Sequence, residues 1–133
     1  MSTISQKVSK QRTLQNVEVA KYTVDAQGRS LGRVASEAAS ALLGKKSVHF
    51  VKNLVIPTEV NIINGSKMAM SEKRISGKIY VHYTGYPGGL RETPMSRMID
   101  NKGIEEVLRT AVDGMLPRNK LRKDRMKRLS ITA

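Results

Sequence analysis

The chemistry this chain is equipped for lies in its cations. Between Pro117 and Ala133, Arg118, Lys120, Arg122, Lys123, Arg125, Lys127 and Arg128 face a single acid, Asp124. Groups packed that densely must be solvated or matched by a polyanion, and in a chain of net charge +13 the balance moves towards a nucleic-acid partner. A second candidate is Gly28-Arg29-Ser30-Leu31-Gly32-Arg33, which joins a predicted strand to a predicted helix. Backbone amides and a helix N-terminus can hold a phosphate there, with Arg29 and Arg33 adding charge. The plain alternative is an ordinary strand–turn–helix junction.

Other chemical signals are weaker. The dinucleotide fingerprint wants a third glycine where Ala35 stands, and an acidic ribose partner that is missing. Gly44-Lys45-Lys46-Ser47 has the lysine of a phosphate loop, but Ala39 occupies the place of its first glycine. His49 and His82 are the only histidines and there is no cysteine, so neither a metal set nor a thiol nucleophile is in view. His82 reads as a packing or hydrogen-bonding residue of a strand, with RNA contact the alternative. Asp25, ending a strand, reads as a turn cap rather than a general base. Tyr80, Tyr83 and Tyr86 lie beside Lys78 and Arg91, where bases can stack on rings while cations hold the backbone. With one Phe and no Trp in the chain, Tyr80 is assigned to packing, and Tyr83 and Tyr86 stay open between packing and stacking. The methionines read as adaptable core filler.

The charge is unevenly spread. Residues 1–57 hold nine cations against three acids, 58–116 eight against seven, and 117–133 seven against one. An electrically ordinary centre with cationic flanks suits a body that grips phosphates. The length of 133 residues allows one ordinary domain, and 39% apolar residues suffice for one core. The absence of cysteine fits a reducing compartment. No apolar run approaches the roughly 20 residues of a membrane-spanning helix. The start, MSTISQKVSKQRT, lacks a secretory apolar stretch, though its composition has half the signature of an organellar transit peptide.

These residues need positioning elements. Residues 1–19 read as a polar, flexible arm, and 20–133 as a single domain. Lys21–Asp25 reads as a short strand. Leu31, Val34, Ala35, Ala38 and Leu42 make one helical face over Ser30–Leu43, with Ser30 as N-cap and Gly44 as the left-handed stop. Glu59–Ile63 is a buried strand closed by Asn64-Gly65, and Lys67–Gly77 is ambiguous between helix and hairpin. Lys78–Thr84 alternates as a strand, and Gly85–Gly89 is a loop. Pro94–Asp100 and Ile104–Leu116 are helices, the second closed by Pro117. A basic C-terminal helix is expected over Asn119–Arg128, then a strand at Leu129–Thr132. Strands alternating with helices predict an α/β sandwich around a small, largely parallel sheet.

Four stretches together carry a family likeness: YTVDAQGRSLGRVASEAASALLGK (22–45), INGSKMAMSEKRISGKIYVHYTGYPGGLRE (63–92), IEEVLRTAVDGMLPRNKLRKDRMKRL (104–129) and the closing strand. The chain resembles the thirteenth, universal family of large-subunit ribosomal proteins. Its most specific stretch is VDGMLPRNKLRKDRMKRL, an amphipathic helix, a break and a spaced cationic segment. The resemblance implies a three-layer α/β/α fold on a four-stranded parallel sheet, binding to large-subunit (23S-type) rRNA, neighbouring large-subunit proteins as partners, and a part in early subunit assembly. It implies a cytoplasmic ribosome, with an organellar one as the alternative, and no cofactor, metal, membrane, small-molecule substrate or homo-oligomer. Carried over by motif, the RNA-facing residues are Arg29, Arg33, Lys45, Lys46, Lys73, Arg74, His82, Tyr83, Gly85, Arg118, Lys120, Arg122, Lys123, Arg125, Lys127 and Arg128. The segment SVHFVKNLVIPTEVN departs from the family pattern, so contacts made there do not transfer.

Three functional classes follow. The leading one is a non-catalytic rRNA-binding constituent of the large subunit, acting by phosphate neutralisation. The second is a nucleotide-using enzyme with its phosphate at Gly28–Arg33, separable by a thermal shift with ATP or NAD. The third is a basic protein that coats DNA or anionic membrane without specificity, separable by competition binding.

Overall fold

The computed structural model describes residues 18–133. Of the arm expected over 1–19, only Glu18 and Val19 are described, both exposed; the rest lies outside the described residues. The elements are strand β1 (Ala20–Asp25), helix α1 (Leu31–Leu42), β2 (Thr58–Ile63), a single 3-10 turn (Gly65–Lys67), α2 (Glu72–Gly77), β3 (Ile79–Tyr83), β4 (Leu90–Pro94), α3 (Met95–Lys102), α4 (Ile104–Met115), α5 (Arg122–Met126) and β5 (Leu129–Ile131).

β1 pairs parallel to β2 from Ala20–Thr58 to Asp25–Ile63, and β2 pairs parallel to β5 at Val60–Leu129 and Ile62–Ile131, in the order β1-β2-β5. Period-two alternation turns Val24, Val60, Ile62 and Leu129 inward, where they are buried. α1 lies over β1 and β2, and α4 packs on α1 and α3. The contact face of α1 is Leu31, Val34, Ala35, Ala38 and Leu42, all buried, as its spacing predicts. Its alanines let the helix lie close against the sheet. Val107, Leu108 and Val112 of α4 close the core from the other side, each fully buried. Truncating one such residue, Leu108→Ala for instance, should cost about 2–5 kcal/mol. Gly44 stops α1 at φ 80, and a Cβ there would stand 2.6 Å from Ile56 Cδ1, so conformation and space both require glycine.

The α/β class with a small parallel sheet holds, with three differences from expectation. Among the described residues the parallel sheet has three strands, not four. The alternating strand at 79–83 instead forms an antiparallel hairpin with Leu90–Pro94, which the sequence reading left unassigned. The connection 84–89 is far shorter than the dozen or so residues a parallel crossover needs, so antiparallel return is dictated. Secondly, among the described residues no helix layer covers the outer sheet face. Lys21, Thr23, Asp25, Glu59 and Ser130 are exposed there, and that alternation offers no apolar surface for a third layer to bury. Thirdly, the basic helix is Arg122–Met126, not Asn119–Arg128. Arg118 and Arg122, and Lys123 and Lys127, would stack like charges at i,i+4, which opposes longer helix.

Candidate nucleic-acid interface

The expected RNA-facing residues fall into three groups, and the structure treats them differently. At the first junction, α1 starts beside the turn after β1 and ends near Lys45 and Lys46. Glu37, midway along α1, receives Arg29 Nη1 at 2.8 Å and Lys46 Nζ at 3.2 Å. Arg29 also donates to the Asp25 carbonyl at 3.4 Å, and Lys46 stands 5.5 Å from the Tyr22 ring centroid. The Arg29 and Lys46 hydrogen bonds hold the Glu37 carboxyl below its ordinary pKa. Glu37 thus orders two cations around one acid and leaves the cluster cationic. Arg33 and Lys45 are exposed. Arg29, Arg33 and Lys46 edge an open depression of about 490 Å³ with Gly32, Ser36 and Ser40 on its floor.

Asp25 acts as the expected turn cap. Its Oδ1 accepts from Asn64 Nδ2 at 2.9 Å and from the Gln27 backbone N–H at 3.0 Å. Those two donors, the amide of Asn64 first, lower its pKa. Ser30 sits at the N-cap of α1 with extended backbone, but its side chain makes no capping hydrogen bond.

The second group lies on α2 and the hairpin. Lys73 and Arg74 are exposed on α2. In the hairpin His82 opposes Arg91, and Tyr83 opposes Leu90. His82 and Tyr83 therefore point to opposite faces, and a single flat surface cannot take both. One face carries Tyr80, His82 and Arg91. The other carries Ile79, Val81, Tyr83 and Leu90, all exposed, with Val81 at 60%. Tyr80 packs against the core, and burial raises its phenol pKa. Tyr86, at the tip, is 75% exposed. Gly85 takes φ 88 in the turn, where Thr84 N–H donates to the Gly89 carbonyl at 3.1 Å. Arg91, which the sequence reading named only as a neighbour of the tyrosines, joins His82 on the polar face. Its signal was there: it sits as far from the loop centre as the strand partner of His82 must.

The third group is the C-terminal run. Arg118, Lys120, Lys123 and Lys127 are exposed, Lys127 paired with Asp124 at 3.4 Å. Arg122 Nε reaches Asp113 of α4 at 3.1 Å and ties α5 to the body. Arg128 donates from Nη1 to the Ile56 carbonyl at 3.1 Å. Arg125 corrects the expectation outright. It is 2% exposed, and its Nε and Nη1 have no hydrogen-bond partner. Arg125 shares the inward side of the segment with Leu121 and Leu129, whereas Lys123 and Lys127 face out.

Gly32 borders both the depression of the first group and a groove edged by Arg74 and Lys78, so the first two groups share one stretch of surface. Asp113, the anchor of Arg122, directly precedes Gly114 of that same groove. No cluster of His, Cys, Asp or Glu among the described residues could hold a metal ion. No helix among them is long and apolar enough to cross a membrane. The arrangement offers cations on a folded body.

Comparison with known proteins gives the family. Residues 20–133 match the family described as ribosomal protein L13. Similar relatives include the large ribosomal subunit protein uL13 of Clostridioides difficile, 44% identical over 84% of this chain and 78% of its own. That of Symbiobacterium thermophilum is 39% identical over 90% of this chain and 82% of its own. That of a Geobacter species is 39% identical over 83% and 77%.

Proposed function

The chain belongs to the ribosomal protein L13 family, and from that premise we propose how it works as a structural constituent of the large ribosomal subunit that binds 23S-type rRNA. It is not an enzyme, and its place is on the cytoplasmic ribosome among neighbouring large-subunit proteins. The observation that carries the mechanism is the sorting of its cations into presented and engaged sets. Arg33, Lys45, Lys73, Arg74, Arg118, Lys120, Lys123 and Lys127 reach solvent from a folded body.

These presented groups neutralise phosphates where rRNA segments approach one another, releasing condensed counterions and lowering the repulsion between the segments. Arg29 and Lys46, ordered by Glu37, meet a phosphate already in position, so little side-chain entropy is lost on binding. His82 and Arg91 extend the contact along one hairpin face. Arg122, Arg125 and Arg128 hold the C-terminal segment on the body. Recognition follows RNA shape, because A-form grooves present little base information to side chains. Contributing such contacts early lets the protein support subunit assembly.

The test is sedimentation of cell extract. The native protein should travel with large subunits and leave them only at high salt or after RNase. A protein that sediments free of the particle at low salt contradicts the proposal.

A further inference from the structure

Between α1, α4 and the base of the hairpin lies a groove of about 410 Å³, within the size range of small-molecule pockets. Its lining includes Tyr80, Met115, which is 44% exposed, and the cations Arg74 and Lys78, with Met95 buried beneath. No acid lines it. Gly32 of α1 and Gly114 of α4 face it, and a methyl group on either would meet nothing within 4 Å. Neither glycine has positive φ. So backbone conformation does not require them, the packing of the fold does not require them, and glycine is a poor helix residue. What they provide is open space.

We propose that this groove takes one unstacked nucleotide of the rRNA, its base against Met115 and Tyr80 and its phosphate against Arg74 and Lys78. The inference deepens the RNA-binding reading above and rests on it. The charge at the edge and the lack of any acid select an anion. The exposed Met115 and the Tyr80 ring select an anion that carries a ring, since bases splayed out of RNA are held by stacking and apolar contact. A bare phosphate would leave both unused.

The experiment is to fill the groove. Gly32→Ala with Gly114→Ala, and separately Gly114→Leu, are compared with the native protein for melting temperature and for affinity to a large-subunit rRNA fragment across a salt series. The expected result is a melting temperature that does not fall, with affinity lowered about tenfold and the salt slope shallower by no more than about 1, for the one phosphate the groove holds. Unchanged affinity overturns the site. A lowered melting temperature overturns it too, because the glycines then serve the fold. So does a loss of affinity with a slope shallower by several units, which would mean that binding elsewhere on the protein is disturbed. Failure of the native protein to bind the fragment would sink the RNA-binding reading itself, which the variants alone do not touch.

Discussion

The C-terminal segment and the β3–β4 hairpin make opposite use of their sequences. Residues 117–133 hold seven cations against one acid, yet the fold turns Arg125 inward, ties Arg122 to Asp113 and tethers Arg128 to the Ile56 carbonyl. The hairpin comes from the electrically ordinary centre of the chain, yet almost every side chain along β3 and β4 reaches solvent. Charge counted along a chain is therefore not charge presented to a partner. A hairpin of two strands is marginal alone in water, and this one leaves Ile79, Val81, Tyr83 and Leu90 uncovered. Its stability comes from Tyr80, from the junction where Met95 N–H donates to the Lys78 carbonyl at 2.9 Å, and from α3 following directly on β4.

The largest expected effect breaks the comparison at its charged side. Replacing Arg118, Lys120, Lys123 and Lys127 together with Ala should leave the fold intact and lower rRNA affinity by orders of magnitude at moderate salt. The slope of log affinity against log salt should become shallower by about 3. Filter binding across a salt series measures both, and an unchanged slope would put the phosphate contacts elsewhere.

Next comes Arg125. Arg125→Ala should destabilise the free protein by roughly 2–4 kcal/mol, because it empties a filled site. Arg125→Met keeps the volume and removes two unpaired donors, so it should be neutral or stabilising by about 1 kcal/mol. Urea denaturation separates them. Equal losses in both variants would mean that the guanidinium charge itself holds the segment.

The hairpin offers a finer test. His82→Ala with Arg91→Ala should reduce rRNA affinity about tenfold, while Val81→Ser on the opposite face should not. All three side chains are exposed, so each change should move stability by less than about 0.5 kcal/mol. Equal losses on both faces would show that the two-sided reading of the hairpin is wrong.

The smallest effect belongs to Glu37. Its folded pKa lies below its unfolded one, so its contribution is present above the unfolded pKa and is lost as pH falls through the folded one. The pair groups are partly exposed, so Glu37→Gln should lower stability at neutral pH by less than about 1 kcal/mol. Stability of the variant should also fall less on acidification. An equal acid response in both proteins would remove Glu37 from the network.

Much of this was legible because local patterns and tertiary packing agree. Leu31 to Leu42 and Ile104 to Met115 repeat at helical spacing, and both helices form with those faces inward except at Met115, which is 44% exposed. Val60 and Ile62 alternate with Glu59 and Asn61, and the strand is buried on one side only. Lys21, Thr23 and Asp25 alternate in the same way and leave the outer face polar, whereas the three-layer expectation came from the resemblance alone. Leu90–Pro94 was missed because its proline and its charged Arg91 and Glu92 hide the strand signal, which exists only opposite β3. Arg125 stands among the phosphate contacts because the family motif carries over a run of cations without showing which side of a short helix faces the body; the fold buries this one.

The most direct measurement is the affinity of the native protein for a folded large-subunit rRNA fragment between about 50 and 200 mM salt, with duplex DNA of equal length as competitor. A fall by orders of magnitude, with the DNA competing poorly, is the result expected of presented cations fitted to RNA shape. A flat salt response, or DNA that displaces the RNA at equal concentration, would contradict it.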